Sequence, residues 1–203
     1  MQNGKTTYLF LVSSLMLFSC NSGENTIEPE NGILNLSGKK LSDPITLDGN
    51  WNFCWDQYLT FDSLGNHNLK NKQHIKVPST WNQLHDSLKY EAFGKGVYHL
   101  KVKNNKSQNL ELKFNTLVTS AYRVFIDTVQ IGSSGNTGFD GNYKPAITSQ
   151  VIPFTVSNND FNIYIEVVSA VAILITILSP HWINAYPIRL KENTQIMNIC
   201  EVW

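Results

Sequence analysis

With 203 residues and 16 basic against 16 acidic side chains, the chain carries no positive excess to hold a polyanion, which removes the main driving force for nucleic-acid binding. Hydrophobic residues make up 42% and aromatic ones 11%, enough to bury a core and to exclude an intrinsically disordered chain. The length suits one domain of ordinary size behind a leader.

At the N-terminus, Lys5 precedes an apolar run from Tyr8 to Phe18, followed by Ser19-Cys20 and the polar stretch NSGENTIEPENG. A charged start, a short apolar stretch and a small residue at the cut make a secretory signal over residues 1–20. About eleven apolar-leaning residues are too few to span a bilayer, which takes about 20. Leu17-Phe18-Ser19-Cys20 resembles a bacterial lipobox, with Phe18 bulkier than such boxes usually carry. That resemblance implies lipidation of Cys20; an ordinary cleavage site is the alternative. Residues 21–32 then read as a flexible tether, and the chain as exported and held on a bacterial membrane. Acyl chains gain about 0.8 kcal/mol per buried CH₂, so several on one cysteine make an anchor. Cys54 and Cys200 remain in the mature chain. Export permits a disulfide, their pairing stays open, and Cys54 between Phe53 and Trp55 reads as a free thiol.

Past residue 32, period-two alternation predicts strands in succession. In TLDGNWNFCWDQYL (46–59), Leu47, Trp51, Phe53 and Trp55 share one parity and predict an inward stripe. Residues 96–103 place Tyr98, Leu100 and Val102 opposite His99, Lys101 and Lys103. Residues 109–115 repeat the pattern with Leu110, Leu112 and Phe114, and 121–127 set Tyr122, Val124 and Ile126 against Arg123 and Phe125. Residues 161–167 offer Phe161, Ile163, Ile165 and Val167. The breaks NNKSQ, SSGNTG and SNND separate these runs. Strands buried on one face and joined by polar turns predict an all-β antiparallel sandwich or jelly roll over 33–192, with 193–203 as a tail. No repeat of 20 to 50 residues is visible, which excludes solenoids and propellers. Residues 167–178 are the most apolar stretch after the leader and read as a doubly buried strand.

The landmarks LDGNWNFCWDQYL (47–59), VPSTWN (77–82), GKGVYHLKV (94–102), AYRVFIDTVQIGSSGNTG (121–138), YKP (143–145) and NIYIEVV (162–168) follow one another in an order with a known counterpart. It resembles the galactose-binding-like jelly roll at the extracellular end of bacterial seven-transmembrane receptors with diverse intracellular signalling modules. The same fold forms the sugar-binding domain of beta-galactosidases and beta-glucuronidases. The resemblance covers roughly residues 45–190. It implies a sensory, ligand-binding ectodomain for a carbohydrate or another small solute. A stand-alone carbohydrate-binding or adhesive lipoprotein and, further off, the first piece of a glycoside hydrolase are the alternatives.

The landmark residues themselves read as structural. Asp48-Gly49 suits a tight turn, and Pro78, which donates no ladder bond, marks a strand end or edge. Asp127-Thr128 stands where the family carries Asn-Gly, so a longer or different turn is expected there. The apolar stretch 171–178 replaces the family's polar loop, and the sequence stops at Trp203 where the family continues into membrane helices. Both departures fit a truncated product with a disturbed reading frame around 168–182.

Catalytic groups do not converge in the sequence. The five histidines, His67, His74, His85, His99 and His181, show no metal-ligand spacing, and no G-x-S-x-G elbow occurs. Asp56, Glu91 and Asp140 supply carboxylates without any indication of their separation. The chain therefore reads as a non-catalytic binding module without cofactor or metal. Rings that stack on sugar faces and side chains that fork onto hydroxyls make Trp81, Arg123, Tyr143 and Trp182 the candidate ligand contacts. A place in the core is the alternative for each ring, and a salt bridge is the alternative for Arg123.

Overall fold

A computed structural model describes residues 27–41, 44–79, 81, 90–91, 93–114, 120–146, 148, 150–157, 159–169 and 189–192. Its strands run in chain order as β1 (Ile33–Asn35), β2 (Ile45–Thr46), β3 (Gly49–Trp55), β4 (Gln73–Val77), β5 (Gly94–Lys103) and β6 (Gln108–Phe114). They continue as β7 (Ser120–Ile126), β8 (Val129–Ser134), β9 (Gln150–Val156), β10 (Phe161–Ser169) and β11 (Arg189–Glu192). The all-β sandwich expected from the alternation is what forms. Cys20, Trp182, Cys200 and residues 170–188 lie outside the described residues, as does the proposed frame disturbance apart from the end of β10.

One sheet has seven strands in the order β4-β3-β5-β10-β7-β8, with β1 running parallel to β5 at residues 101–103, beyond the start of the β3–β5 pairing. The other has four, in the order β2-β11-β6-β9. Leu110, Leu112, Ile152 and Val156 of the smaller sheet meet Trp51, Phe53, Leu100, Val102, Tyr122, Val124, Ile163 and Ile165 of the larger one in a single apolar core. Leu47, Trp51 and Phe53 are fully buried there and Trp55 packs at its margin, so the aromatic stripe of 46–59 is the inner wall of the sandwich. Trp51 keeps its indole N–H satisfied by donating to the Leu47 carbonyl at 2.9 Å.

The edge strands carry the residues that edges tolerate. β4 ends at Val77 immediately before Pro78, as expected, and points Lys76 and His74 outward. β9, the outer strand of the smaller sheet, contains Pro153. At the β7–β8 hairpin, Ile126 pairs with Val129, so the turn has two residues and is not lengthened. Only the first of them, Asp127, has positive φ (49°), which is how Thr128 is accommodated. The Asp127 carboxylate also receives the backbone N–H and the amide of Asn162, both at 2.9 Å. Asp48-Gly49 makes no tight turn: Gly49 opens β3, and a Cβ there would sit 2.5 Å from the Pro29 carbonyl oxygen.

The sequence reading of a sheet buried on one face needs correction. The outer face of the large sheet is covered by residues 56–72, whose Leu59, Phe61 and Leu69 pack on Cys54, Val97, Phe125 and Tyr164. His99 and Phe125, placed opposite the core by their parity, are 6% and 7% exposed. The covering segment is braced from within. The Gln57 side chain bonds both the N–H and the carbonyl of Lys70 at 2.9 Å, and the Asn68 side chain bonds the Thr60 N–H and the Tyr58 carbonyl at 2.9 Å. A compact loop that satisfies its own backbone in this way acts as a strap across the sheet.

Candidate functional site

Strand register decides which outer-face side chains meet. Cys54, Val97, Glu166 and Arg123 lie in one row across β3, β5, β10 and β7. Asn52, His99, Tyr164 and Phe125 form the next. Glu166 has no solvent exposure, and Arg123 grips it with two bonds, from Nε at 2.8 Å and from one terminal nitrogen at 2.7 Å. The second carboxylate oxygen also accepts the Leu59 N–H at 2.8 Å. A buried carboxylate is tolerable because these three donors replace its water.

Beyond this pair the Arg123 guanidinium lies 5.3 Å from the Phe125 ring centre and 5.0 Å from that of Phe139. Phe139 is 53% exposed and stands perpendicular to the Tyr58 ring at 5.3 Å. The Tyr58 hydroxyl donates to the Thr137 carbonyl at 3.3 Å, and Lys95 Nζ sits 5.1 Å from the Tyr58 ring while pairing with Asp56 at 2.7 Å. The loop that carries Phe139 is closed by mutual backbone bonds between Asn136 and Lys144 at 2.7 and 2.9 Å. Inside it the Asn136 side chain caps the Gly138 N–H at 2.9 Å, and Asp140 accepts the Asn142 N–H at 3.1 Å. The Asn142 backbone N–H, followed by the Asn136 side chain, holds the Asp140 carboxyl below its usual range, so it stays an ionised acceptor.

The sequence-derived candidates separate. Trp81 is 8% exposed, stacks on Phe53 at 6.1 Å, meets Trp55 edge-on at 5.3 Å and donates its N–H to the Glu91 carbonyl at 3.0 Å. It packs with Phe53 and Trp55 on the inner side of β3, whereas Arg123 lies in the outer-face row. For Arg123, the salt bridge named as its alternative is present. Tyr143 is half-buried in the 136–144 loop against Gly138, close in sequence to Phe139. The structure thus brings Arg123 and the Tyr143 loop together through Phe139 and leaves Trp81 apart. Tyr58 and Phe139 were not singled out from the sequence. Their signal was the pair of polar, turn-rich segments that carry them, QYLTFDSLGNHN and GNTGFDGNYK.

A second polar cluster lies under the strap. His99 Nδ1 faces the Asn52 amide at 3.3 Å and its Nε2 faces the Asn162 oxygen at 3.0 Å, while its ring stacks on Tyr164 at 4.6 Å. Burial holds the imidazole down at about 4, so it is neutral, with Nδ1 accepting and Nε2–H donating. The His67 ring lies 6.1 Å from it and is lowered chiefly by burial. Among the described residues no group of three or more His, Cys, Asp or Glu is placed to hold a metal ion.

No family model and no curated protein matches this chain. Solved structures similar to it include a GH2 beta-galacturonidase from Eisenbergiella tayi bound to galacturonate, at 17% identity over 75% of this chain and 25% of that one, with a TM-score of 0.46. A beta-glucuronidase from an uncultured Clostridium sp. is 12% identical over 74% of this chain and 29% of its own, with a TM-score of 0.48. The beta-glucuronidase of Faecalibacterium prausnitzii is 20% identical over 61% and 20%, with a TM-score of 0.43. The chain therefore spans less than a third of the length of each of these structures.

Proposed function

We propose that this chain is a non-catalytic, extracytoplasmic ligand-binding domain of a bacterial membrane signalling protein, taking a carbohydrate or another small solute. The observation that carries the reading is the braced 136–144 loop, which presents the half-exposed Phe139 ring at the margin of a rigid two-sheet scaffold. The leader and Cys20 supply the export and anchoring part of the proposal. The sandwich core and the strap give the domain a fixed frame on which a loop site needs little reorganisation to bind.

A thermal-shift screen of the purified protein against mono- and oligosaccharides, amino acids and other small metabolites tests the binding part. A ligand of the native state must raise the midpoint in a concentration-dependent manner. Absence of any reproducible shift at millimolar concentrations overturns the reading. Radiolabelled palmitate incorporation into the wild-type chain, lost in Cys20→Ser, tests the anchor.

A further inference from the structure

We propose that Phe139, braced edge-on by the perpendicular Tyr58 ring, is the platform on which the apolar face of a neutral pyranose stacks, with the polar side chains of the 136–144 loop serving its hydroxyls. This rests on the reading of the chain as a small-ligand-binding domain and names its site and ligand class.

Most large rings in the described residues are consumed by packing. Trp51, Phe53, Trp81, Tyr122, Phe125, Phe161 and Tyr164 are all buried. Phe139 is different, because it is 53% exposed and yet fixed by a perpendicular Tyr58 ring and by the Arg123 guanidinium. An apolar ring kept in water on a mobile tip would fold over onto the surface; this one is held by a loop with its own bonds. Asn136 caps Gly138, the Gly141 N–H donates to the Gly138 carbonyl at 2.9 Å, and Asp140 caps Asn142. Tyr58 is fixed in turn by its bond to Thr137 in the same loop. A preordered ring loses little entropy on binding.

The surroundings select the ligand class. C–H groups on one face of a pyranose suit the negative face of an aromatic ring, and the ring sizes match. Asp140 stays ionised and exposed, an acceptor for hydroxyl donors, and Asn142 beside it is exposed with both donor and acceptor capacity. Two of the nearby cations are already paired, Arg123 with Glu166 and Lys95 with Asp56, while Lys144 is exposed where the loop closes. An anion would find no unmatched positive charge in those two pairs and would meet Asp140, whereas a neutral polyol meets no such penalty.

Titration calorimetry of the purified chain with methyl glycosides of glucose, galactose and mannose, their short oligosaccharides, and glucuronate and galacturonate as charged controls tests this. We expect a neutral glycoside to bind, Phe139→Ala to weaken it at least tenfold, and Phe139→Trp to retain it. The unliganded melting midpoint of Phe139→Ala should stay within about two degrees of wild type, because the ring is half in water. Binding unchanged in Phe139→Ala overturns the platform and leaves the ligand-binding reading standing. Tighter binding of the uronates than of the neutral glycosides overturns the ligand class. If no saccharide binds, the proposal fails; a non-saccharide ligand found in the wider screen would still preserve the broader reading.

Discussion

The carboxylate of Glu166 accepts the backbone N–H of Leu59 at 2.8 Å, across 107 residues of sequence, and so ties the strap 56–72 to the centre of the large sheet. The same carboxylate holds Arg123, whose guanidinium also faces the rings of Phe125 and Phe139. One buried acid therefore fixes both the strap and the foot of the Phe139 platform.

Removing that acid leaves three donors without their acceptor. Glu166→Ala is expected to lower unfolding free energy by about 3–5 kcal/mol, the range for breaking a buried pair from one side. Replacing both partners, as in Arg123→Met with Glu166→Leu, should cost much less, because no charge remains buried. Urea unfolding curves of the wild type and both variants check this. Equal losses in the single and the double variant would show that packing of the strap, rather than the charge, is what matters.

His99 makes stability depend on pH. Burial holds its folded value at about 4 against an ordinary 6.5, so the fold favours the neutral ring. That stabilisation is fully present above pH 6.5 and disappears as pH falls toward 4, because the unfolded chain takes up the proton first. The total amounts to about 3 kcal/mol. His67, lowered for the same reason, acts in the same direction. Urea midpoints measured between pH 7 and 4 should fall in the wild type, and the decline should flatten in His99→Gln. A slope unchanged by that substitution would assign the acid sensitivity to other groups.

The inner wall of the sandwich was legible because period-two alternation reports one buried face: Leu100, Ile163 and Ile126 lie side by side and all point to the core. The outer wall was harder to read. Its apolar members Val97, Phe125 and Tyr164 sit at off-parity positions, where they turned clean alternation into the local runs Val97-Tyr98, Val124-Phe125-Ile126 and Ile163-Tyr164-Ile165. Those runs mark a doubly covered sheet centre, but the segment that covers it has the composition of a solvent loop, since Gln57, Asp62 and Asn68 serve its own backbone. Trp81 and Phe139 show the same limit at the site. Both lie in polar, irregular stretches, and only tertiary packing decides that the first is inside and the second half in water.

The Gly-Lys-Gly start of β5 exists to make room for rings. A Cβ on Gly96 would lie 2.5 Å from the Phe53 ring, and one on Gly94 would lie 2.3 Å from the Trp55 indole. Phe53 cannot swing aside freely, because Tyr98, Tyr90 and Trp81 surround it at 4.8, 5.8 and 6.1 Å. Gly96→Ala should therefore cost about 1–3 kcal/mol by overpacking. Phe53→Ala should cost about 3–5 kcal/mol by leaving a cavity. In the double variant the losses should be less than additive, because the smaller side chain at 53 removes the clash. Additive losses in a denaturant-unfolding cycle would place the strain at Gly96 elsewhere than on the ring.

Cys54 reports whether the strap opens. Its thiol is fully buried beneath Leu59 and Leu69, and burial raises its pKa, so little thiolate is available to an alkylating reagent in the native state. In protein with Cys20 and Cys200 replaced by serine, iodoacetamide should label Cys54 slowly under native conditions and rapidly in urea. Glu166→Ala, which frees the Leu59 N–H, should speed native labelling by more than its effect on global unfolding accounts for, because the strap then opens without the sandwich coming apart. Labelling that follows global stability alone, across wild type, Glu166→Ala and the core variant Phe53→Ala, would instead make strap and sandwich a single cooperative unit.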